Sequence, residues 1–148
     1  MLKLEINLEH IKWGEGKLHY KIINSSNDDL YILSWSCSVY DGWSVKPKPV
    51  VLMFEKDFDS AVKYFCDKNI PYWRKVPRGS EVGGVLDIWV PKGFDECNAI
   101  SAAYKANVSK IDLGVYGAIE RQGKSVTLTS NPYYLSENCP NEVIKRML

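Results

Sequence analysis

The side chains that could act as bases or metal ligands are few in this chain and widely separated. Of the two histidines, His10 falls at the end of a predicted strand and His19 on the polar face of another. Two imidazoles on adjacent strands could form a metal pair, but an exposed histidine with no ligand role is the simpler interpretation. We therefore predict no metal site and no histidine base.

Two pairs of aspartates are the candidates for acid–base chemistry. Asp28 and Asp29 fall in a predicted hairpin turn, and Asp57 and Asp59 fall near the start of a predicted helix. Carboxylates hydrolyse glycosides only when they face each other across a cleft, usually from different elements. Residues 24–29 also lack the spacing and the glycine of an EF-hand calcium loop. Neither pair therefore predicts a catalytic or calcium site.

One sequence ends like a phosphate-binding loop but is incomplete. Gly123-Lys-Ser125 matches the end of that motif, yet Ala118 stands where its first glycine belongs. The run also falls in a predicted hairpin turn, whereas the motif needs a strand before it and a helix after it. With no complete acid–base or nucleophile set, the sequence predicts a protein that is not an enzyme and that has no cofactor.

The four cysteines contain no Cys-x-x-Cys pair, which argues against a zinc knuckle or a thioredoxin-type motif. They are Cys37, Cys66, Cys97 and Cys139. An even count permits two disulfides in three connectivities, and we prefer Cys37–Cys66 with Cys97–Cys139, which would anchor the C-terminal tail. Unpaired buried thiols are the alternative.

Aromatic residues are the most informative indication of function, at 12% of the chain with five Trp and nine Tyr. Tyr72-Trp73-Arg74 lies in a predicted loop over 69–79, where flanking prolines would preorder it. Trp, Tyr and Arg are the residues most used as anchors in protein interfaces. We therefore predict a protein-binding contact made by Trp43, Tyr72, Trp73, Arg74 and Arg78.

Two other interpretations of the loop aromatics stay open. The rings could cap the ends of a hydrophobic core, which needs no partner. Alternatively, Trp43 and Trp73 with Tyr133 and Tyr134 could form a platform on which sugars stack. A carbohydrate-binding module is therefore the second functional hypothesis.

Most of the chain is predicted to be extended. The first eight residues alternate apolar and polar side chains, as a half-buried strand does. Gly16–Asn24 alternates likewise, and a polar turn separates it from Leu30–Trp35, which is typical of two antiparallel strands. Further strands are predicted at Val50–Phe54, with both faces buried, at Val85–Val90 and, in preference to a helix, at 99–108.

The remaining predicted elements are a helix, a hairpin and a tail. Apolar spacing at Asp57–Asp67 indicates one short helix of two to three turns. Residues 111–119 and Ser125–Thr129 form a predicted hairpin around Arg121–Gly123. The polar tail from Asn131 has a short helical stretch at 141–147. The sequence thus predicts an all-β antiparallel sandwich of seven to eight strands with one short helix near 57–67.

Length limits the number of domains, and charge limits the classes of partner. The 148 residues predict a single domain, 1–148. A net charge of +1 provides no field that would attract nucleic acid or a membrane surface. Residues 46–78, however, carry eight Lys or Arg against four acidic residues, either as a solvated face or as a docking surface for an acidic partner.

Location follows from what the N-terminus and hydropathy predict. No apolar run is long enough for a transmembrane helix. The alternating N-terminal residues do not form a signal peptide. We expect a cytoplasmic protein, or a periplasmic or secreted one if a leader has been removed.

The order of the elements resembles bacterial immunoglobulin-like sandwich modules. Three runs carry the resemblance: HYKIINSSNDDLYILSW, YWRKVPRGSEVGGVLDI and VYGAIE followed by VTLTSN. They are similar in outline to the sandwich that precedes the catalytic part of deuterolysin-type metalloproteases and to small sandwich-type proteinase inhibitors. The matching positions are Asn24, Leu30, Ile32, Leu33, Pro77, Gly79, Ser130 and Asn131. His-Glu-x-x-His is absent, so no protease site carries over, and the insertion around Val50–Phe65 departs from the pattern.

The sequence therefore favours a non-enzymatic protein-binding domain. The most concrete form of this hypothesis is an inhibitor or immunity-type protein that blocks a partner enzyme or toxin. The resemblance implies an immunoglobulin-like sandwich, but a shared fold does not by itself imply a shared activity.

Overall fold

Strands make up almost all the regular structure of the described part of the chain. A computed structural model describes residues 1–10, 14–35, 42–48, 50–52, 71–112 and 123–136. The strands in these residues are β1 (Leu2–His10), β2 (Glu15–Asn24), β3 (Leu30–Trp35), β4 (Trp43–Lys46), β5 (Val51–Leu52), β6 (Pro71–Val76), β7 (Glu81–Trp89), β8 (Ser101–Ser109) and β9 (Lys124–Thr129). No helix among the described residues is long and apolar enough to cross a membrane.

The strands form two antiparallel sheets that enclose one core, so the chain is an all-β sandwich. The first sheet has the order β1-β2-β7-β5, and the second has the order β4-β8-β3-β6 with β9 also paired to β8. Alternation buries every second side chain of β1 and β2. The largest fully buried side chains come from both sheets and include Leu4, Leu18, Ile32, Leu86 and Ile88.

The predicted pairing of Gly16–Asn24 with Leu30–Trp35 is wrong, because the two strands lie in different sheets. β2 pairs with β1 and β7, whereas β3 pairs with β6 and β8. The fully buried Asn24 explains the crossing, since its amide donates to the carbonyls of Asp28 (2.8 Å) and Val76 (2.9 Å). These bonds direct the chain to the second sheet.

The second sheet divides along one edge of β8. β9 occupies the other edge, from Ala103↔Thr129 to Val108↔Lys124. β4 pairs with residues 101–104 and β3 only with 108–109. Between them the N–H of Lys105 donates to the carbonyl of Gly42 at 2.9 Å. Within the described part of the chain, this edge of β8 therefore has a gap where β3 and β4 part.

The predicted loop over 69–79 is wrong, because its first part is strand β6. Pro71 is the first residue of β6 and Pro77 follows its last residue. Proline is tolerated at both places, since β6 is the last strand of its sheet among the described residues. Trp43, also predicted in a loop, is the first residue of β4.

Other expectations were met in part. The strand favoured over 99–108 is confirmed as β8, and the strand predicted at Val85–Val90 begins earlier, at Glu81. Val51 is 48% exposed, so that residue does not fit the prediction of a strand with both faces buried. The predicted helices at 57–67 and 141–147 lie outside the described residues, as does most of the first hairpin arm at 111–119.

Candidate functional site

The gap between β3 and β4 opens into a cavity of about 180 Å³, which we call the cleft. It reaches the space between the sheets, where Tyr20, Ile22 and Val82 of the first sheet line it. Its other lining residues come from β3, β4, β6 and β8 of the second sheet, with Gly42 beside β4. The division of the second sheet thus produces a concave site.

Three aromatic rings form a wall of the cleft. The ring of Trp43 stacks on that of Tyr104, its partner in register, with centroids 4.5 Å apart and planes 14° apart. Tyr20 approaches Trp43 from the opposite sheet, with centroids 4.6 Å apart and planes tilted by 47°. Aromatic pairs at such distances contribute about 0.5–1.5 kcal/mol beyond their burial. The wall is therefore held in place by packing between the sheets.

Arg74 of β6 bridges the two sheets at the cleft. Its position opposite Ile32 turns its side chain inward, where it is half-buried. Nη2 donates to the carbonyl oxygen of Gly83 at 2.8 Å, and Nη1 donates to the hydroxyl of Tyr20 at 3.5 Å. These contacts fix the guanidinium against the aromatic wall.

The charged side chains that line the cleft, among the described residues, are all of one sign. Among the described residues that line it, Arg74 and Lys105 are cations, and none is a carboxylate. Tyr72, which is 42% exposed, lies two residues before Arg74 on the same face of β6. The site thus combines an exposed tyrosine and two cations with partly or fully buried aromatic rings.

The structure brings three of the five predicted contact residues together. Trp43, Tyr72 and Arg74 all line the cleft. Trp73 is only 6% exposed and packs on the opposite face of β6 with Leu33. Its indole N–H has no hydrogen-bond partner within the described part of the chain. Trp73 is therefore a packing residue rather than a surface anchor.

Arg78 lies apart from the cleft, in the turn after β6. Its backbone N–H donates to Oδ1 of Asp29 at 2.9 Å. This hydrogen bond lowers the pKa of Asp29 below its usual 3.8, against the opposing effect of desolvation, and the positive charge of Lys75 lowers it further. Asp29 also forms an ion pair with Lys75 at 3.5 Å. These residues tie the turn after β2 to the turn after β6.

The other residues considered for chemistry occupy separate surfaces. Nε2 of His19 lies 3.2 Å from Oε2 of Glu9 on an exposed face, and Asp28 forms an ion pair with Lys110 at 3.7 Å. No group of three or more potential metal ligands occurs among the described residues. Asp57 and Asp59 lie outside the described residues.

The remaining predicted site residues are only partly described. Cys97 forms a disulfide. The other three cysteines, at 37, 66 and 139, lie outside the described residues. Which of them is the partner of Cys97 is therefore not described, and the preferred pairing stays a prediction. Tyr133 pairs with Ile100 through two backbone hydrogen bonds of 2.8 Å. Neither Tyr133 nor Tyr134 is among the described residues that line the cleft.

Sequence reasoning missed most residues of the cleft, among them its charged or aromatic members Tyr20, Tyr104 and Lys105. Tyr20 falls within the predicted strand at Gly16–Asn24, and Tyr104 falls within the predicted strand at 99–108. Both are aromatic side chains that face inward from strands, and this was the only sequence feature that could have marked them as candidate site residues. Their meeting at Trp43 depends on strand register and on the division of the second sheet, which no local pattern reports.

Comparison with protein-family models and with curated proteins found no match to this chain.

Proposed function

We propose that the chain is a non-enzymatic protein-binding domain, of the inhibitor or immunity type, whose contact surface is centred on the cleft. The observation that carries this proposal is the convergence of Trp43, Tyr72 and Arg74 on one concave site. Residues of these three types supply most of the energetic anchors of protein interfaces. Here two of them are already held by packing or hydrogen bonds, which lowers the entropy lost on binding.

The size of the cleft supports a protein partner over a small-molecule substrate. Sites for drug-sized ligands and cofactors usually have volumes of about 300–1,000 Å³. The cleft, at about 180 Å³, is smaller. It suits a single side chain of a partner whose remaining contacts spread over the surrounding strands.

The geometry gives the carbohydrate alternative less support. Sugar stacking needs an aromatic ring with a free face, but the ring of Trp43 already contacts the rings of Tyr20 and Tyr104. Trp73 is buried on the other face of the second sheet. The tryptophans invoked for a platform therefore do not present adjacent open faces.

The proposal extends to fold family and location. An immunoglobulin-like relationship to small sandwich-type inhibitors accords with two antiparallel sheets around one core. The disulfide of Cys97 favours an oxidising compartment, because disulfides persist chiefly in exported proteins. We accordingly propose a periplasmic or secreted protein, the alternative to the cytoplasmic location first expected.

The experiment is affinity capture from the source organism with two matched variants of the immobilised protein. Tyr72→Ala removes an exposed anchor of the cleft, and Ile111→Ala removes a 63% exposed side chain that does not line it. Truncating a central interface anchor costs about 2 kcal/mol or more, a loss of roughly thirtyfold in affinity. We expect wild type and Ile111→Ala to retain one stoichiometric partner that Tyr72→Ala loses.

Two results would contradict the proposal in different ways. If all three proteins retained the partner equally, the contact surface would lie away from the cleft. If no protein were retained, a tryptophan fluorescence titration with a panel of oligosaccharides would follow, and a shift with one of them would replace protein binding by carbohydrate binding.

A further inference from the structure

We propose that the cleft receives the carboxylate side chain of a glutamate or aspartate presented by the protein partner. This inference rests on the proposed protein-binding function and specifies the chemistry of the partner residue. It is carried by three features of the cleft: the positive charge of its described lining residues, its fixed guanidinium and its size.

The positive charge of the cleft has no internal counter-charge in the described part of the chain. Five lysines there form ion pairs with carboxylates: Lys3, Lys17, Lys21, Lys75 and Lys110. Arg74 and Lys105 form none with the described residues, although both line the cleft. A carboxylate is the complementary group for such a site.

Arg74 keeps donors for a ligand. A guanidinium carries five N–H groups, and the two hydrogen bonds to Gly83 and Tyr20 use two of them. These bonds hold the plane of the guanidinium while the other N–H groups stay available to a planar carboxylate. Because the group is half-buried, its interaction with an anion is stronger than that of a fully solvated arginine.

The apolar part of the wall favours one side chain over a free polyanion. The cavity of about 180 Å³ is bordered by the apolar Ile22, Ile32 and Val82. The methylene groups of a glutamate can lie against these residues while its carboxylate reaches the cations. A large polyanion would have to leave much of its charge against apolar side chains, which is unfavourable.

The test is an NMR titration of the isotope-labelled full chain with two capped peptides, Gly-Gly-Glu-Gly-Gly and Gly-Gly-Gln-Gly-Gly. We expect the glutamate peptide to shift the indole resonance of Trp43 and the amides of Tyr72 and Lys105. The isosteric glutamine peptide should bind about tenfold more weakly, because it lacks the charge-assisted hydrogen bonds. Added salt should weaken the glutamate peptide further.

Matched variants test whether the glutamate peptide binds at the cleft. Lys105→Gln should weaken binding of the glutamate peptide severalfold, whereas Lys92→Gln, at an exposed lysine in the turn after β7, should not. Arg74→Lys keeps the charge but removes the planar fork of donors, so it should also weaken binding.

Several results would overturn the inference. Among them are equal binding of the two peptides, no binding of either, and an effect of Lys92→Gln as large as that of Lys105→Gln. Sodium acetate binding as tightly as the glutamate peptide would make the cleft a general anion site. These failures are distinguishable from failure of the proposed function, because the capture variant Tyr72→Ala retains both cations.

Discussion

The guanidinium of Arg74 lies 2.8 Å from the carbonyl oxygen of Gly83 and so connects the outer edge of the second sheet to β7 of the first. The same group reaches the hydroxyl of Tyr20 at 3.5 Å. One side chain therefore performs two tasks: it holds the sheets together beside the cleft and presents a cation inside it.

Replacing Arg74 should reduce stability. Arg74→Met keeps an extended side chain but removes both hydrogen bonds, and a bond to a charged group contributes about 1.5–3 kcal/mol. Because the group is only half-buried, we expect a loss of about 1–2 kcal/mol in the free energy of unfolding, measured by urea denaturation. Arg78→Met is the control, since only its backbone N–H is bonded to Asp29. Equal losses of unfolding free energy in the two variants would show that Arg74 does not stabilise the contact between the sheets.

The ring of Tyr20 lies directly over Gly84, its partner in register. A Cβ at that glycine would come within 2.5 Å of the Tyr20 hydroxyl oxygen and 2.7 Å of two ring carbons. Gly84→Ala should therefore displace the ring and cost about 1–3 kcal/mol by overpacking. Because Tyr20 contacts Trp43, tryptophan fluorescence should change as well.

A double-mutant cycle checks this interpretation of Gly84. In a Tyr20→Leu background the obstructing ring is absent, so Gly84→Ala should cost less there than in wild type. Residues in contact commonly show coupling energies of about 0.5–3 kcal/mol. Additive costs would mean that the alanine acts through something other than Tyr20.

Several strands could be predicted from the sequence because each buries one face. Alternation over 99–108 was sufficient to recognise β8. The pairing of β2 and β3 could not be predicted, because a polar turn of five residues suits both a hairpin and a crossing between sheets. The buried amide of Asn24 decides between them, and its bonds reach Val76, fifty-two residues away.

Only part of the cleft was accessible to sequence reasoning. The residue types of Trp43, Tyr72 and Arg74 identified them as candidate contact residues. The prolines on either side of 72–76, however, indicated that this segment is a loop. As a strand, that segment places Tyr72 and Arg74 on one face and Trp73 on the other. Tyr20 and Tyr104 join the site only through non-local register.

Asn24 is one of two buried polar residues in the described part of the chain. It is fully buried, donates to the carbonyls of Asp28 and Val76, and accepts from the N–H and hydroxyl of Ser26. Asn24→Asp has the same shape but replaces the two donors with a buried charge, so we expect a loss of about 3 kcal/mol or more by urea denaturation. Asn7→Asp, on an exposed face of β1, is the control and should change stability little.

The carboxylate of Asp29 should make stability depend on acid pH. Its pKa is lowered in the folded chain by the Arg78 N–H and by Lys75. The stabilisation is therefore fully present above the unfolded pKa near 3.8 and is lost as pH falls through the lower folded value. Asp29→Asn should flatten the decrease of the unfolding free energy below that pH, as measured by urea denaturation.

The matched control for Asp29 is Asp87, whose carboxylate lies 3.6 Å from Lys17. The described hydrogen bonds give this side chain no backbone N–H donor of the kind that Arg78 supplies to Asp29. We expect Asp87→Asn to retain more of the acid dependence than Asp29→Asn does. An equally flattened profile in both variants would show that the Arg78 hydrogen bond is not the main cause.

The disulfide of Cys97 should be closed by Cys139, because the described tail runs back alongside that region. Tyr133 pairs with Ile100, and the N–H of Ser136 donates to the carbonyl of Glu96 at 3.4 Å. Cys139 follows Ser136 by three residues, which span at most about 10 Å, so it can reach the separation of about 4–7 Å between the Cα atoms of a disulfide. Peptide mapping without reduction should recover a linked pair of peptides containing Cys97 and Cys139.

Closing a loop of this length also predicts a stability difference. In the chain-entropy account, a loop of roughly forty residues contributes about 4 kcal/mol, and disulfides typically contribute about 2–4 kcal/mol. Cys97→Ser and Cys139→Ser should therefore lower the unfolding free energy by about 2–4 kcal/mol each, and the double variant should cost no more than either alone. Two results would contradict this pairing: recovery of Cys97 linked to Cys37 or Cys66, or additive losses in the double variant. Either would show that the contacts with Ile100 and Glu96 hold the tail without a Cys97–Cys139 disulfide.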